Sequence, residues 1–260
     1  MSSQSSGEQT RVEPGPPIRG LFFDLGGTLF SYTGRLGGGG IVYLLKTFGI
    51  EAQPAEIGER WGEAASQVGE HFGAKDYFLH KDLFRESAIR FLAQYDKQAN
   101  AEQLDAFHAA QLASMLKHLP LREDCKEALA TLKRRGLYLS IVSNIDDDYL
   151  DPLVAQHGLD EWLDHWTSSE EARSCKPDAR IFHHALDKAG LNLDEVLFVG
   201  DSLHHDVAGA AAIGMRSVRI IEPGIKTPLT HGLEVTADPD FEIDALTELS
   251  DIVAQLNVEE

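Results

Sequence analysis

Positive charge is scarce in this chain. Lysine and arginine number 23 against 42 aspartates and glutamates in 260 residues, for a formal charge of −19. Such a surface repels a nucleic-acid backbone or an anionic membrane at long range, so neither is expected as a partner. A small anionic substrate is not excluded, because a few local cations, backbone N–H groups or a bound metal reverse the sign inside a cleft. Cysteine is almost missing too. Cys125 and Cys175 lie far apart and match no zinc or redox spacing, so a disulfide scaffold is not expected, and two free thiols in a reducing, cytoplasmic setting are. No apolar run approaches the ~20 residues that cross a bilayer. A phosphate-binding loop ending in Gly-Lys-Ser/Thr, a Gly-x-Ser-x-Gly elbow and a His-Glu-x-x-His zinc helix are all absent, which removes three common routes to catalysis.

What is present is an ordinary globular balance, 43% apolar and 25% charged, in a chain long enough for one large α/β domain carrying an insertion. Met1 to Pro17, rich in Ser, Gln, Gly and Pro and without the apolar centre of a signal peptide, reads as a disordered tail. Leu21-Phe22-Phe23 ends on Asp24 and the glycines Gly26 and Gly27, as a buried strand does before a tight turn. From Ser31 to about Leu119 apolar residues recur instead at three- and four-residue steps, through Val42, Leu45, Phe84, Ala88, Phe91 and Leu92, which is a helical pattern.

Beyond Pro120 helix and strand alternate. Helices read from Cys125 to Arg135, Asp178 to Lys188 and Asp206 to Ile213 stop at Gly136, Gly190 and Gly214; strands read from Leu137 to Val142, Val196 to Val199 and Ser217 to Ile221. This order predicts an α/β fold, a doubly wound parallel Rossmann-like sheet, with residues 18–30 and 119–260 as its core and 31–118 as an inserted helical domain. Ile243 to Val258 reads as a terminal amphipathic helix. Gly37 to Gly40 reads as a hinge between core and insertion, or as a merely flexible loop.

Ligands of open parallel sheets bind beyond the carboxyl ends of the strands. Those ends carry Asp24 to Thr28 after the first strand, Ser143 and Asn144 after the second, and Asp201 with Asp206 after a later one, with Lys176 in a loop between. Each group alone is common turn chemistry; together, in order, they form a constellation. Phe23-Asp24-Leu25-Gly26-Gly27-Thr28-Leu29, Ser143-Asn144, Lys176-Pro177-Asp178 and Gly200-Asp201-Ser202 with Asp206 resemble the haloacid dehalogenase-like hydrolase superfamily over about Ile18 to Ile221, with the helical stretch placed like that family's cap.

The resemblance implies a phosphatase acting on a small phosphorylated metabolite. Asp24 is then the nucleophile of an aspartyl intermediate; Ser143 binds a phosphoryl oxygen and Lys176 supplies a point charge beside it. Thr28 and Asn144 belong to the substrate side. Mg²⁺ is the implied cofactor, held by Asp24, the backbone carbonyl of Gly26 and Asp201, with Asp206 behind.

Gly26 departs from the family's phosphatases, which carry a second aspartate there as general acid and base. Glycine transfers no proton, and such help is typically worth ~10²–10⁴ in rate. The leaving group then needs no proton, as in an acyl or aryl phosphate, or the proton comes from the cap or the substrate, or activity has decayed and left a ligand-binding module. Relatives that cleave carbon–phosphorus and carbon–halogen bonds also lack this aspartate; the former need a Schiff-base lysine, for which Lys46, Lys75 and Lys81 are candidates. His204 and His205 beside Asp206 are a conceivable replacement acid, whereas His183 and His184 read as exposed helix residues. Tyr77, His80, Lys81 and Arg85 of the insertion either face the cleft or form an ordinary helix surface, and Trp162 and Trp166 read as packing.

Overall fold

In the computed structural model of the chain, residues 16–32, 38–222 and 237–258 are described. The tail expected over Met1 to Pro17 lies outside them up to residue 15, as does Gly37. The first strand, β1 (Gly20–Phe23), is followed by four helices, α1 (Gly38–Phe48), α2 (Pro54–Gly73), α3 (His80–Ala93) and α4 (Ala101–His118). There follow α5 (Cys125–Arg134), β2 (Tyr138–Ser143), α6 (Asp147–His157), β3 (His165–Ser168), the single turn α7 (Ser169–Ala172), α8 (Ala179–Ala189) and β4 (Val196–Gly200). The chain closes with α9 (Ala208–Ala212), β5 (Arg216–Ile220), β6 (Phe241–Ile243) and α10 (Leu249–Val258).

Among the described residues the six strands are all parallel, in the order β3-β2-β1-β4-β5-β6. The doubly wound parallel sheet expected from the alternation is therefore present. Its central strands alternate between two cores, as a two-residue period requires. Leu21, Phe23, Leu139, Ile141, Leu197 and Val199 face a core shared with α5, α6 and α10, while Phe22, Val142, Val196 and Phe198 face one shared with α8 and α9. Both faces of β1 are fully buried, which is why Leu21-Phe22-Phe23 reads as a continuous apolar run.

The four helices between β1 and α5 have an apolar cluster of their own, with Leu44, Ala64, Ala88, Phe91, Leu92 and Phe107. Phe84 of α3 joins this cluster to the sheet core and meets Tyr149 edge to face at 6.3 Å. The connections into and out of the helices pair with each other: Ser31 N–H donates to Pro120 C=O and Arg122 N–H to Leu29 C=O, both at 2.9 Å.

Several expectations need correction. Gly38, Gly39 and Gly40 are no hinge; they begin α1, and a Cβ on Gly39 would overlap Ser114 Cβ and one on Gly40 would stand 2.6 Å from the Phe107 ring, so these two glycines bring α1 close to α4. Ile243 ends a short edge strand, and the terminal helix begins only at Leu249; its apolar spacing runs on across the turn between. The stretch read as a helix from Asp206 opens as a π-helical turn, Leu203–Val207, before α9. Helix α6 and strand β3 were not legible. The first carries Pro152 and an acidic start, and the second is four residues containing His165 and Ser168.

Candidate active site

The strand order reverses direction between β1 and β4, and the polar strand ends of these two strands and of β2 gather there. Asp24 continues the ladder beyond β1, its N–H donating to Val199 C=O at 2.8 Å. Ser143 ends β2, and Asp201 follows β4 directly. Asp206 lies on the π-helical turn, a feature often found at functional sites. A side chain at Gly200 would overlap the Asp206 carboxylate, so that glycine is what lets the carboxylate in.

Lys176 links these groups. It is 3% exposed, and its Nζ donates to Asp24 Oδ1 at 2.7 Å and to Asp206 Oδ1 at 2.6 Å. Ser143 Oγ donates to the same Asp24 oxygen at 3.2 Å, and Ser202 N–H to Asp206 Oδ2 at 3.0 Å. Burial alone would make Lys176 shed its proton, but Asp206 and Asp24 reverse this and raise its pKa above the usual lysine value. Burial lifts the Asp206 carboxyl to about 6, against the pull of Lys176 and with the help of Asp24.

Asp24, Asp201 and Asp206 each present an oxygen within 4.8 Å of the others, so the cluster can hold a metal ion. The donor set fits a hard divalent cation. It is oxygen-only, and the two buried carboxylates share one ammonium, so the group is more negative than its own cation neutralises.

Asn144 sits beside this cluster but turns to the backbone. Its Oδ1 accepts Lys176 N–H at 2.6 Å and its Nδ2 donates to Lys176 C=O at 2.9 Å, so both ends of the amide hold the lysine loop. Thr28 is fully buried and its Oγ1 has no hydrogen-bond partner. Gly26 lies in a turn closed by Gly27 N–H to Phe30 C=O at 2.7 Å, with Gly27 at φ +79°.

One residue was missed. A Cβ built on Gly26 would overlap the hydroxyl of Tyr32 and stand 3.0 Å from its Cζ. The Tyr32 phenol is pushed well above its ordinary pKa by burial and then by Asp201, Asp24, Asp206 and Glu222, so it is neutral. Tyr32 belongs to no motif, and its only signal in the sequence is that it follows Gly26 within six positions.

The remaining nominees are drawn elsewhere. His183 is exposed, and His184 meets Glu171 at 3.3 Å. Burial, with Lys176 and His204, lowers His205 to about 4, which leaves its ring neutral with no extra proton to give. His80 and Lys81 donate their backbone N–H groups to Asp146, Tyr77 accepts from Arg173 at 3.2 Å, and Arg85 pairs with Asp105. Lys46 and Lys75 are exposed, and the Lys75 ammonium lies 3.9 Å from the centre of the Phe72 ring. Trp162 and Trp166 pack against the sheet core. Cys125 and Cys175 are buried and unpaired, and burial raises the Cys125 thiol to about 12.

Comparison with known proteins finds hydrolases of two activities. The ribulose-1,5-bisphosphate 5-phosphatase of Halopiger xanaduensis is 26% identical over 240 residues, covering 90% of this chain and 98% of its own. The (S)-2-haloacid dehalogenase of Pseudomonas sp. strain YL is 28% identical over 235 residues, covering 88% and 91%. YfnB of Bacillus subtilis, assigned to the HAD hydrolases and solved with magnesium bound, superposes with a TM-score of 0.73 at 18% identity, covering 92% of this chain and 99% of its own. At that identity the likeness is one of fold. The family model of haloacid dehalogenase-like hydrolases matches residues 18–214, and the chain belongs to that family.

Proposed function

We propose that the chain is a Mg²⁺-dependent phosphatase that hydrolyses a small phosphorylated metabolite through a covalent intermediate on Asp24. The observation that carries this reading is the three-carboxylate cluster bound to one buried lysine. Phosphatases among the relatives support it. The carboxylate of Asp24 attacks phosphorus, the bond to the leaving oxygen breaks, and water then hydrolyses the aspartyl phosphate. Lys176 and Ser143 hold Oδ1 of that carboxylate and fix its plane, a positioning worth much of the barrier in such reactions. Lys176 is also the fixed positive charge beside the phosphoryl group, while Asn144 acts through Lys176 by clasping its backbone. Thr28 Oγ1, the unpartnered hydroxyl of the turn, is assigned to the substrate. Asp24, the Gly26 carbonyl and Asp201, with Asp206 behind, would hold Mg²⁺, which when bound supplies the charge neutralisation that lets one anion approach another. Residues 31–118 are assigned as the cap over the cleft, and 18–30 with 119–260 as the catalytic core.

Halide cleavage is the second reading. Gly26, which places no carboxylate two residues after Asp24, favours it. A carbon–halogen centre carries no phosphoryl charge, however, and leaves a clustered trio of carboxylates without a purpose. The discriminating experiment is phosphate release from a panel of phosphorylated metabolites with Mg²⁺, using Asp24→Asn as the blank. Release that vanishes in the blank and on chelation is expected. Chloride release from 2-chloropropionate, with no phosphate release from any panel member, transfers the assignment to the second reading.

A further inference from the structure

The turn after β1 lacks a side chain at position 26, yet the space is not empty. The ring of Tyr32 lies along the glycine pair: a Cβ on Gly26 would overlap its hydroxyl, and one on Gly27 would stand 2.8 Å from its Cε2. Its backbone is held in turn by Glu222, two residues beyond β5, whose carboxylate accepts Tyr32 N–H at 3.3 Å and the Ser31 hydroxyl. Tyr32, Gly27, Asp201, Arg219 and Glu222 line a small cavity of ≈ 40 Å³ at this edge of the site. The placement of the phenol is therefore built from two directions, by the glycines beneath it and by a carboxylate from the segment that follows β5.

Displacement at phosphorus leaves negative charge on the departing oxygen, and a donor aimed there lowers the barrier. Apart from Thr28, whose hydroxyl is assigned above to the substrate, the other donors in the cluster are engaged. Lys176 holds Asp24 and Asp206, Ser143 is on Asp24, and Asn144 is on the lysine backbone. Among neighbouring groups, Asp24, Asp201, Asp206 and Glu222 are acceptors, and Arg219, which also lines the cavity, donates to Glu242 at 3.1 Å. We infer that the Tyr32 hydroxyl takes the place of the side chain position 26 lacks and donates a hydrogen bond to the leaving-group oxygen of the substrate. This rests on the phosphatase reading above.

The step balances without a proton transfer. The bond from Asp24 to phosphorus forms, the bond from phosphorus to the leaving oxygen breaks, and the electron pair stays on that oxygen. The phenol keeps its own proton throughout, and the departing oxyanion takes one from solvent. Leaving groups that are themselves weak bases, such as acyl, enol and aryl oxygens, are then hydrolysed in preference to alkoxides, which names the substrate class.

The test uses the full chain with Mg²⁺, an aryl phosphate series from p-nitrophenyl to phenyl phosphate, and Asp24→Asn as the blank. Tyr32→Phe keeps the ring and removes the donor. It is expected to steepen the dependence of kcat/KM on leaving-group pKa, losing about tenfold more on phenyl than on p-nitrophenyl phosphate. An equal loss along the series overturns the donor role. Melting temperatures, which need no turnover, test the placement: Gly26→Ala should lower Tm in the wild-type background and much less in Tyr32→Ala. Equal drops in both overturn it. Wild-type release no greater than the blank on every ester removes the phosphatase reading and the donor role with it, while the melting comparison still reports on the shared volume.

Discussion

The carboxylate of Asp146 accepts the backbone N–H of His80 at 2.7 Å, although 66 residues separate them. Asp146 stands at the N-cap of α6, but its side chain makes no bond there. It caps α3 instead, taking the N–H of Lys81 at 2.7 Å as well, where the local N-cap residue Leu79 has no side chain to offer. A fully buried side chain two positions beyond Asn144 thus fastens the helical insertion to the sheet.

Removing that fastening should loosen α3. Asp146→Ala strands two buried N–H groups and is expected to cost about 1–3 kcal/mol, with faster amide exchange at the start of α3. Burial alone would raise the Asp146 carboxyl; hydrogen bonds from His80 and Lys81 outweigh it and hold the pKa below the ordinary value. A lowered folded-state pKa contributes stability that is present above the unfolded value and is lost as pH falls through the folded one. The stability gap between wild type and Asp146→Asn should therefore be full at neutral pH and close in acid; a gap independent of pH contradicts the assignment.

Lys176→Met removes the cation that bridges two buried carboxylates. Stripping one partner from a buried ion group typically costs ~3–5 kcal/mol, and phosphate release should fall to the Asp24→Asn level. The loss of melting temperature should be larger at pH 8 than at pH 5. Asp206, lifted by burial to about 6 even with the lysine present, can take a proton at the lower pH and relieve the repulsion. Equal losses at both values would show that the two carboxylates do not face each other uncompensated.

Gly40→Ala separates a hinge from a packing contact. In a flexible hinge the substitution stabilises by about 0.4–1 kcal/mol through the unfolded chain. Against the Phe107 ring the new methyl has no room, and overpacking of this kind costs about 1–3 kcal/mol. A lowered melting temperature is expected, and an unchanged or raised one restores the hinge.

Mg²⁺ should stabilise the protein in the absence of substrate. At a hundred times its Kd a ligand of the native state contributes about 2.7 kcal/mol, roughly a 5–10 °C rise in Tm for a domain of this size. Asp201→Asn should abolish most of the rise. A rise unaffected by that substitution places the ion elsewhere.

The alternation of apolar runs and glycine stops from Cys125 onward was enough to read the parallel sheet, because central strands buried on both faces and helices stopped by glycine leave plain local marks. Asp24, Ser143, Lys176, Asp201 and Asp206 were legible for the same reason: each follows a strand end or lies in a loop between strands, so its place is set by short-range chain geometry. Strand β3 was not legible, since four residues including His165 and Ser168 carry too little apolar periodicity, and neither was β6, which merged with the spacing of the helix after it.

Local pattern by itself determined the central strands β1, β2, β4 and β5, most of the helices around them, and the polar residues that end those strands. Tertiary structure alone decided the rest. It put Tyr32 over Gly26, Asn144 on the backbone of Lys176, Asp146 at the head of α3, and Gly40 of α1 against Phe107. Each of those is a contact between segments whose approach depends on how whole elements pack, and a side chain's neighbours across such a gap leave no trace in its own stretch of sequence.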